Sequence, residues 1–268
     1  MFVRLCLGPL SDIMLFITRE EANTLEHWES LCPGGLRFVY DDVHFRPGTD
    51  TFLLSSLPRL KPGARVCDLG CGTGLLSLLL LQRQPLLQVT GVELQPEAAA
   101  LCRRTAEENQ LGDRLRTVTG DLRNIRALLP AGSFDLVVCN PPYYPPGSGK
   151  VSSTDPLRCA RSEQGCTLEE VCAAAAYLLR WSGSFCLVHK PERLTDVLYA
   201  LRSAAIEPKR LRMVSCRAGQ VPSLILVEGR RGGRPGLQVD PPLILETPEG
   251  MPTQEVDAIY FRKQEDTP

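Results

Sequence analysis

Several features that would place a sequence at once are missing here. No apolar run approaches the roughly 18 residues a membrane-spanning helix needs. No Cys-x-x-Cys pair occurs among the eleven cysteines, and the three histidines, His27, His44 and His189, stand far apart. These gaps argue against a membrane partner and against a tetrahedral metal site, which needs clustered thiolates and imidazoles. Charge of one sign is also lacking: the formal net charge is −1 over 268 residues, so the chain is not a uniformly basic nucleic-acid binder. The apolar stretch Phe2 to Ile17 is broken by Pro9, Ser11 and Asp12 and no small-residue cleavage site follows, so no export signal is expected. The cysteines then read mostly as small hydrophobes inside a reduced, cytoplasmic protein. There is neither an internal repeat nor a low-complexity block.

What is present is an ordinary globular composition, 43% apolar and 23% charged, and a regular alternation. From about Arg65 to His189, short β-rich apolar runs alternate with helix-period stretches, the pattern of β-α units around a parallel sheet. Strands are expected at 64–69, 87–93, 115–119, 134–140 and 184–189, and helices at 75–84, 96–109 and 168–180, with Pro96 suited to a first helical turn. A polar, proline- and glycine-rich loop separates the fourth strand from the helix at 168. Beyond, 194–205 reads as a helix, and 211–215 with 223–227 as an antiparallel hairpin on the sheet edge. Glu20 to Glu29 is expected to form a short helix.

The first strand ends in Asp68-Leu69-Gly70-Cys71-Gly72-Thr73-Gly74 and a helix follows. Glycines at 70 and 72 let a ligand approach the backbone and permit left-handed turns. The spacing is Gly-x-Gly-x-Gly; the third glycine of the dinucleotide fingerprint is replaced by Leu75, and no Lys-Ser/Thr follows as in a Walker loop. Acids recur at successive strand ends, with Glu93 closing the second and Gly120-Asp121-Leu122 following the third, where open α/β sheets bind ligands.

The fourth strand ends in Asn140-Pro141-Pro142-Tyr143. A rigid prolyl turn can hold the Asn140 side-chain oxygen and the Pro141 carbonyl as two acceptors for the N–H bonds of a planar amine. Such an amine is a poor nucleophile because its lone pair is delocalised. Holding it while the nitrogen becomes tetrahedral directs the lone pair at an electrophile, so orientation replaces a strong base. Tyr143 offers a flat face on which a base could stack.

The acid-led glycine loop resembles that of class I S-adenosyl-L-methionine-dependent methyltransferases. The Asn-Pro-Pro-Tyr turn resembles the signature of enzymes acting on N6 of adenine, N4 of cytosine or the amide of glutamine. The segment 47–54, containing Gly48, Thr49 and Asp50, and stretches at 189–194, 207–210, 232–237 and 241–244 are similar to the bacterial tRNA(Val) adenine-N6 methyltransferase family. The resemblance implies a Rossmann-like α/β fold, a seven-stranded, mostly parallel sheet with an antiparallel edge hairpin and helices on both faces. It implies S-adenosyl-L-methionine as cofactor. Asp68, Gly70, Gly72 and Gly74 would lie along its methionine part with Gly48, Thr49 and Asp50 closing over it. Glu93 would accept from the ribose hydroxyls, Asp121 and Leu122 would meet the adenine, and Asn140 would sit where cofactor and target meet. The catalytic set would be Asn140, Pro141, Pro142 and Tyr143. Arg161-Ser162-Glu163 stands where many relatives have Arg-His-Glu.

The neutral total hides an imbalance. Residues 189–234 carry ten Lys and Arg against four acids, and 235–268 carry seven acids against two bases. The basic segment suits RNA phosphates, with Lys190, Arg193, Lys209, Arg210 and Arg212 as the expected contacts. Residues 1–34 are expected to be an N-terminal extension, 35–234 the methyltransferase domain and 235–268 an acidic tail packed on or beside it, in a monomer or homodimer. The alternatives are a protein glutamine methyltransferase, which usually carries a longer helical region before the cofactor loop, and a non-catalytic cofactor- or RNA-binding protein, which would be expected to lose a group of the target loop.

Overall fold

A computed structural model describes residues 26–41, 48–141 and 166–262. Its centre is a sheet built from β3 (Arg65–Leu69), β4 (Gln88–Glu93), β5 (Leu115–Thr119), β6 (Phe134–Cys139), β7 (Leu179–His189), β8 (Ile206–Ser215) and β9 (Leu224–Arg231). Their spatial order is β5-β4-β3-β6-β7-β9-β8. The first five run parallel, and β9 pairs antiparallel with both β7 and β8. This is the mostly parallel sheet with an antiparallel edge that the sequence pattern predicts. The chain moves outward from β3 to β5 and then returns to β6, so the switch point lies between β3 and β6, where such sheets bind ligands beyond the carboxyl ends of their strands.

Each central strand is buried on both faces, so residues alternate between two cores. Leu136 and Val138 of β6, with Cys186 and Val188 of β7, face α1 (Thr49–Ser55), α2 (Leu75–Arg83) and α3 (Pro96–Glu108). Val137, Cys139, Phe185 and Leu187 face the other side, covered by α4 (Ile125–Leu128), α5 (Leu168–Leu178) and α6 (Leu194–Ser203). Helix α2 is leucine-rich and buried from Leu75 to Leu81 because it lies between the sheet and α1. Helix α5 starts on a capping box in which Thr167 and Glu170 satisfy each other's backbone N–H groups.

Three parts of the architecture depart from the sequence reading. Glu26–Ser30 is a strand, β1, where a helix was expected; it pairs antiparallel with β2 (Arg37–Asp41), setting Trp28 opposite Val39 and His27 opposite Tyr40. Cross-strand aromatic and β-branched contacts outweigh the helical preference of a short glutamate-flanked piece. The hairpin lies on α3: Val39 N donates to Thr105 Oγ1 at 3.2 Å, and Arg104 pairs with Glu26 at 2.6 Å. The expected boundary between residues 34 and 35 thus falls in the turn of a hairpin that packs as a unit. Second, β7 begins at Leu179 rather than Ser184, and four residues, 180–183, are looped out between the Phe134–Leu179 and Leu136–Ser184 pairs. Third, residues 235–262 are part of the sheet edge. β10 (Gln238–Val239) and β11 (Leu243–Ile244) add to β8, and α7 (Gln254–Ile259) packs on α1. Two-residue strands are too short to announce themselves by periodicity.

That third feature explains the charge imbalance. Arg210 reaches Asp240 at 2.7 Å and Glu228 at 3.1 Å, Arg212 forks onto Glu255 at 2.6 and 2.8 Å, and Arg217 pairs with Glu246 at 2.9 Å. The basic segment and the acidic segment neutralise each other across the sheet edge. Arg210 and Arg212, expected on RNA phosphates, are instead committed to carboxylates, and Arg210 also donates to the Leu57 carbonyl at 3.1 Å. Arg210→Met strands the buried Glu228 without its cation, and is expected to cost about 2–3 kcal/mol. Arg212→Met leaves Glu255 half exposed and is expected to cost under about 1 kcal/mol. Urea denaturation measures both, and equal losses would contradict this ranking.

Candidate functional site

The carboxyl ends of β3, β4, β5 and β6 converge on one crevice. Gly70 N and Cys71 N donate to Val92 O at 2.8 and 3.1 Å, so the glycine loop is stapled to the end of β4. Gly70 has φ +73, and a Cβ there would meet nothing within 4 Å, so the loop borders open space at this point. Gly74, the residue before α2, has φ +92, and a Cβ there would lie 2.6 Å from Cys102 Sγ. The turn therefore needs glycine for two reasons: backbone hand, and a thiol packed beneath it.

Glu93 organises the crevice. Its Oε2 accepts from Gly72 N at 2.8 Å and its Oε1 from Gln95 N at 2.9 Å, and its carbonyl accepts from Gly120 N at 2.8 Å. Each carboxylate oxygen can accept a further hydrogen bond. Leu94, immediately after it, exposes 41% of its surface beside these polar groups. Asp68 is buried at the end of β3, and Ser77 Oγ of α2 donates to its Oδ2 at 2.7 Å. Burial pushes the Asp68 carboxyl up to about 7 against the opposing hydrogen bonds from Ser77, and the nearby Glu93 charge raises it further. The loop thus lies over a buried carboxyl that no cation among the described residues pairs with.

Asp121 lies after β5, as expected, and accepts from Arg123 N at 2.9 Å. The Arg123 guanidinium also grips the carboxylate, at 2.6 Å, and holds it below the usual carboxylate range. Leu122 begins the short 3-10 turn that Asp121 caps. Asn140 follows β6, and its Nδ2 donates to Thr51 Oγ1 of α1 at 3.1 Å. That donation orients the amide. The segment Gly48-Thr49-Asp50 opens α1, with Gly48 at the cap and Gly48 O accepting from Thr51 N at 3.2 Å. From the far side Tyr260 hydrogen-bonds Thr49, and its ring stacks on Phe52 at 4.4 Å. Thr51, Ser77 and Tyr260 were not singled out by sequence; Thr51 and Tyr260 act through partners distant in the chain, which no local motif encodes, and Ser77 reaches back nine residues to Asp68.

Pro141 is buried at the start of the target loop. Pro142, Tyr143 and Arg161-Ser162-Glu163 lie outside the described residues. Of the remaining basic candidates, Lys190 follows β7, and its N–H donates to Nδ1 of His189 at 2.8 Å. Arg193 pairs with Asp196, and Lys209 Nζ donates to the Arg234 carbonyl at 3.1 Å. Burial and the neighbouring Arg193 push His189 down to about 4. Eight described cysteines are free thiols, most of them buried. Among the described residues there is no cluster of metal-ligating side chains, and no helix is long and apolar enough to cross a membrane.

Comparison with known proteins places this crevice in context. A family model described as the methyltransferase small domain matches residues 38–201. A Porphyromonas gingivalis protein named tRNA1(Val) (adenine(37)-N6)-methyltransferase is 32% identical over 192 residues, covering 69% of this chain and 74% of its own. A Flavobacteriaceae protein of the same name is 29% identical over 181 residues, covering 62% and 75%. Among solved structures, one titled a predicted O-methyltransferase from Agrobacterium tumefaciens superposes with a TM-score of 0.66 at 24% identity, over 80% of this chain and 96% of that one. At that identity the likeness is one of fold.

The raised Asp68 carboxyl has a consequence for stability. Between its ordinary value of 3.8 and about 7 the folded chain holds a proton that the unfolded chain has lost. Its contribution therefore falls as pH rises through this window and is level above it. His189 runs the other way, its contribution being lost as pH falls from 6.5 towards 4, so the parent's own profile mixes the two. The difference between Asp68→Asn and the parent isolates the carboxyl. The variant is expected to gain on the parent steadily from pH 4 to 7 in urea denaturation, and a constant difference would count against a buried neutral Asp68.

Proposed function

The chain belongs to the methyltransferase small domain family, and from that premise we propose that it transfers a methyl group from S-adenosyl-L-methionine to the exocyclic N6 amine of an adenine in tRNA, beside the anticodon. The observation that carries this reading is the Asn140 amide, whose nitrogen is held by Thr51 at 3.1 Å at the end of the strand flanking the glycine loop. The names of the curated relatives support the substrate.

The residues present suit the cofactor. Open space borders Gly70, and among the described residues no cation pairs with the buried Asp68. When bound, S-adenosyl-L-methionine supplies an electrophilic methyl on a sulfonium, together with an ammonium. Asp68 and the loop from Gly70 through Gly72 to Gly74 hold the methionine part, and Gly48, Thr49 and Asp50 close over it. Glu93 accepts from the ribose hydroxyls. Asp121 accepts from the adenine amine while keeping Arg123, and Leu122 packs beside the base. Asn140 Oδ1 and the Pro141 carbonyl then accept the two N–H bonds of the target amine, so its lone pair points along the line of displacement. These two acceptors supply orientation and electrostatic stabilisation rather than a strong base, and the bound cofactor would supply the methyl group. Pro142 stiffens the turn, and Tyr143 gives the extruded base a stacking face. Lys190, Arg193 and Lys209 hold phosphates, Lys190 standing one strand over from Asn140 at the same end of the sheet.

The reading is tested by incubating the protein with total tRNA and isotopically labelled cofactor, then analysing nucleosides by mass spectrometry. N6-methyladenosine is expected; label in a protein glutamine amide instead would replace the RNA reading. Asn140→Ala should lower kcat about 100-fold while leaving cofactor affinity nearly unchanged, and near-normal turnover would remove its acceptor role. Glu93→Ala should raise the cofactor Kd by about tenfold or more in calorimetry; an unchanged Kd would refute the ribose assignment.

A further inference from the structure

At the opposite end of the sheet from the crevice is a cavity of about 430 Å³, lined by the loop from Arg59 to Ala64 and by the first residues of β6 and β7 and the last of β9. At ~3.3 Å per residue, the length of β6 sets its lining residues Leu136 and Asp135 roughly 13 to 16 Å from Asn140. Four cationic side chains line it, Arg59, Lys61, Arg180 and Arg230, with two carboxylates, Asp135 and Glu228. Both acids are already engaged. Asp135 accepts from Arg180 at 2.7 Å and from Arg65 N at 2.8 Å; Glu228 accepts from Arg210 at 3.1 Å and Ser184 Oγ at 3.0 Å. Arg59, Lys61 and Arg230 are exposed and have no acidic partner among the described residues.

Beside this cavity the looped-out residues of β7 carry Trp181, 72% exposed. Ser182 next to it has φ +63, a backbone state that non-glycine residues seldom adopt and that a strand does not need. The indole rests on backbone: a Cβ at Gly232 would lie 2.3 Å from its Cη2 atom. One side of the ring is thereby backed, and the exposure leaves the other open. A backed, solvent-facing indole beside unpaired cations suits a base and its phosphates, whereas a free phosphate has no use for the ring.

Resting on the RNA reading above, we propose that this cleft is a second contact surface for the substrate RNA, with Arg59, Lys61 and Arg230 on backbone phosphates and an unpaired base stacked on Trp181. A structured RNA is large enough to reach it and the crevice together, and the cleft supplies exposed cations beside Glu228, the carboxylate that Arg210 already holds.

Two readouts test this in the full chain. In a Trp28→Phe background Trp181 is the only one of the two tryptophans left, so its fluorescence reports on the cleft. Titration with tRNA is expected to quench it, and inorganic triphosphate is not. Trp181→Ala is expected to weaken tRNA binding about tenfold. Lys61→Glu with Arg230→Glu is expected to raise the KM for full-length tRNA about tenfold or more and to lower the slope of log affinity against log salt by about 2. The double variant should leave cofactor Kd, kcat and the KM for a short anticodon stem-loop unchanged. Unquenched fluorescence, or an unchanged KM and salt slope, would overturn the proposal, and quenching by triphosphate alone would reassign the cleft to a small anion. Binding is read apart from turnover, so a protein that quenches with tRNA yet methylates no RNA would support this surface while defeating the proposed reaction.

Discussion

The Glu93 carboxylate, buried at the end of β4 and accepting the N–H groups of Gly72 and Gln95, is the contact on which the rest of the crevice depends. A charged acceptor at two backbone donors is among the stronger hydrogen-bond arrangements available to a protein. Here it ties the glycine loop and the entry to α3 to one strand end. With the loop also stapled to the Val92 carbonyl, the open space at Gly70 is held by backbone rather than by mobile side chains. Asp68 is buried behind the same loop, where burial above all, and the Glu93 charge in addition, raises its carboxyl to about 7.

A second constraint acts on α1. Thr51 meets Asn140 from one side of the crevice, while Tyr260 stacks on Phe52 and hydrogen-bonds Thr49 from the other. Helix α1 is therefore held between Asn140 and the C-terminal segment. That segment is in turn held to β8 by Arg210 and Arg212. The acidic stretch is accordingly a structural strap on the sheet edge, and its charge balances the basic stretch before it.

Much of this was legible in the sequence because it is encoded locally. The alternating runs from Arg65 to His189, the acid-led glycine turn and the acids at strand ends lie within short windows whose period reports their state. Glu20 to Glu29 misled because glutamates at both ends look helical, whereas the described part, Glu26–Ser30, finds its partner across a hairpin. Nor does a cation in a sequence carry any mark of whether a carboxylate thirty or forty residues later will reach it, as Asp240 and Glu255 do for Arg210 and Arg212.

By itself, then, the sequence determined the order of strands and helices from Arg65 to His189, the turn that borders the crevice and the side-chain chemistry available at its strand ends, since hydrophobic period, glycine placement and residue type act over a few residues. Only the tertiary structure decided which arginines meet carboxylates, that Thr51 accepts from the Asn140 amide, and that Trp181 is turned out beside a basic cleft. Those outcomes depend on where separate segments meet in space, and electrostatic and hydrogen-bond energies are set by that distance and burial, not by separation along the chain.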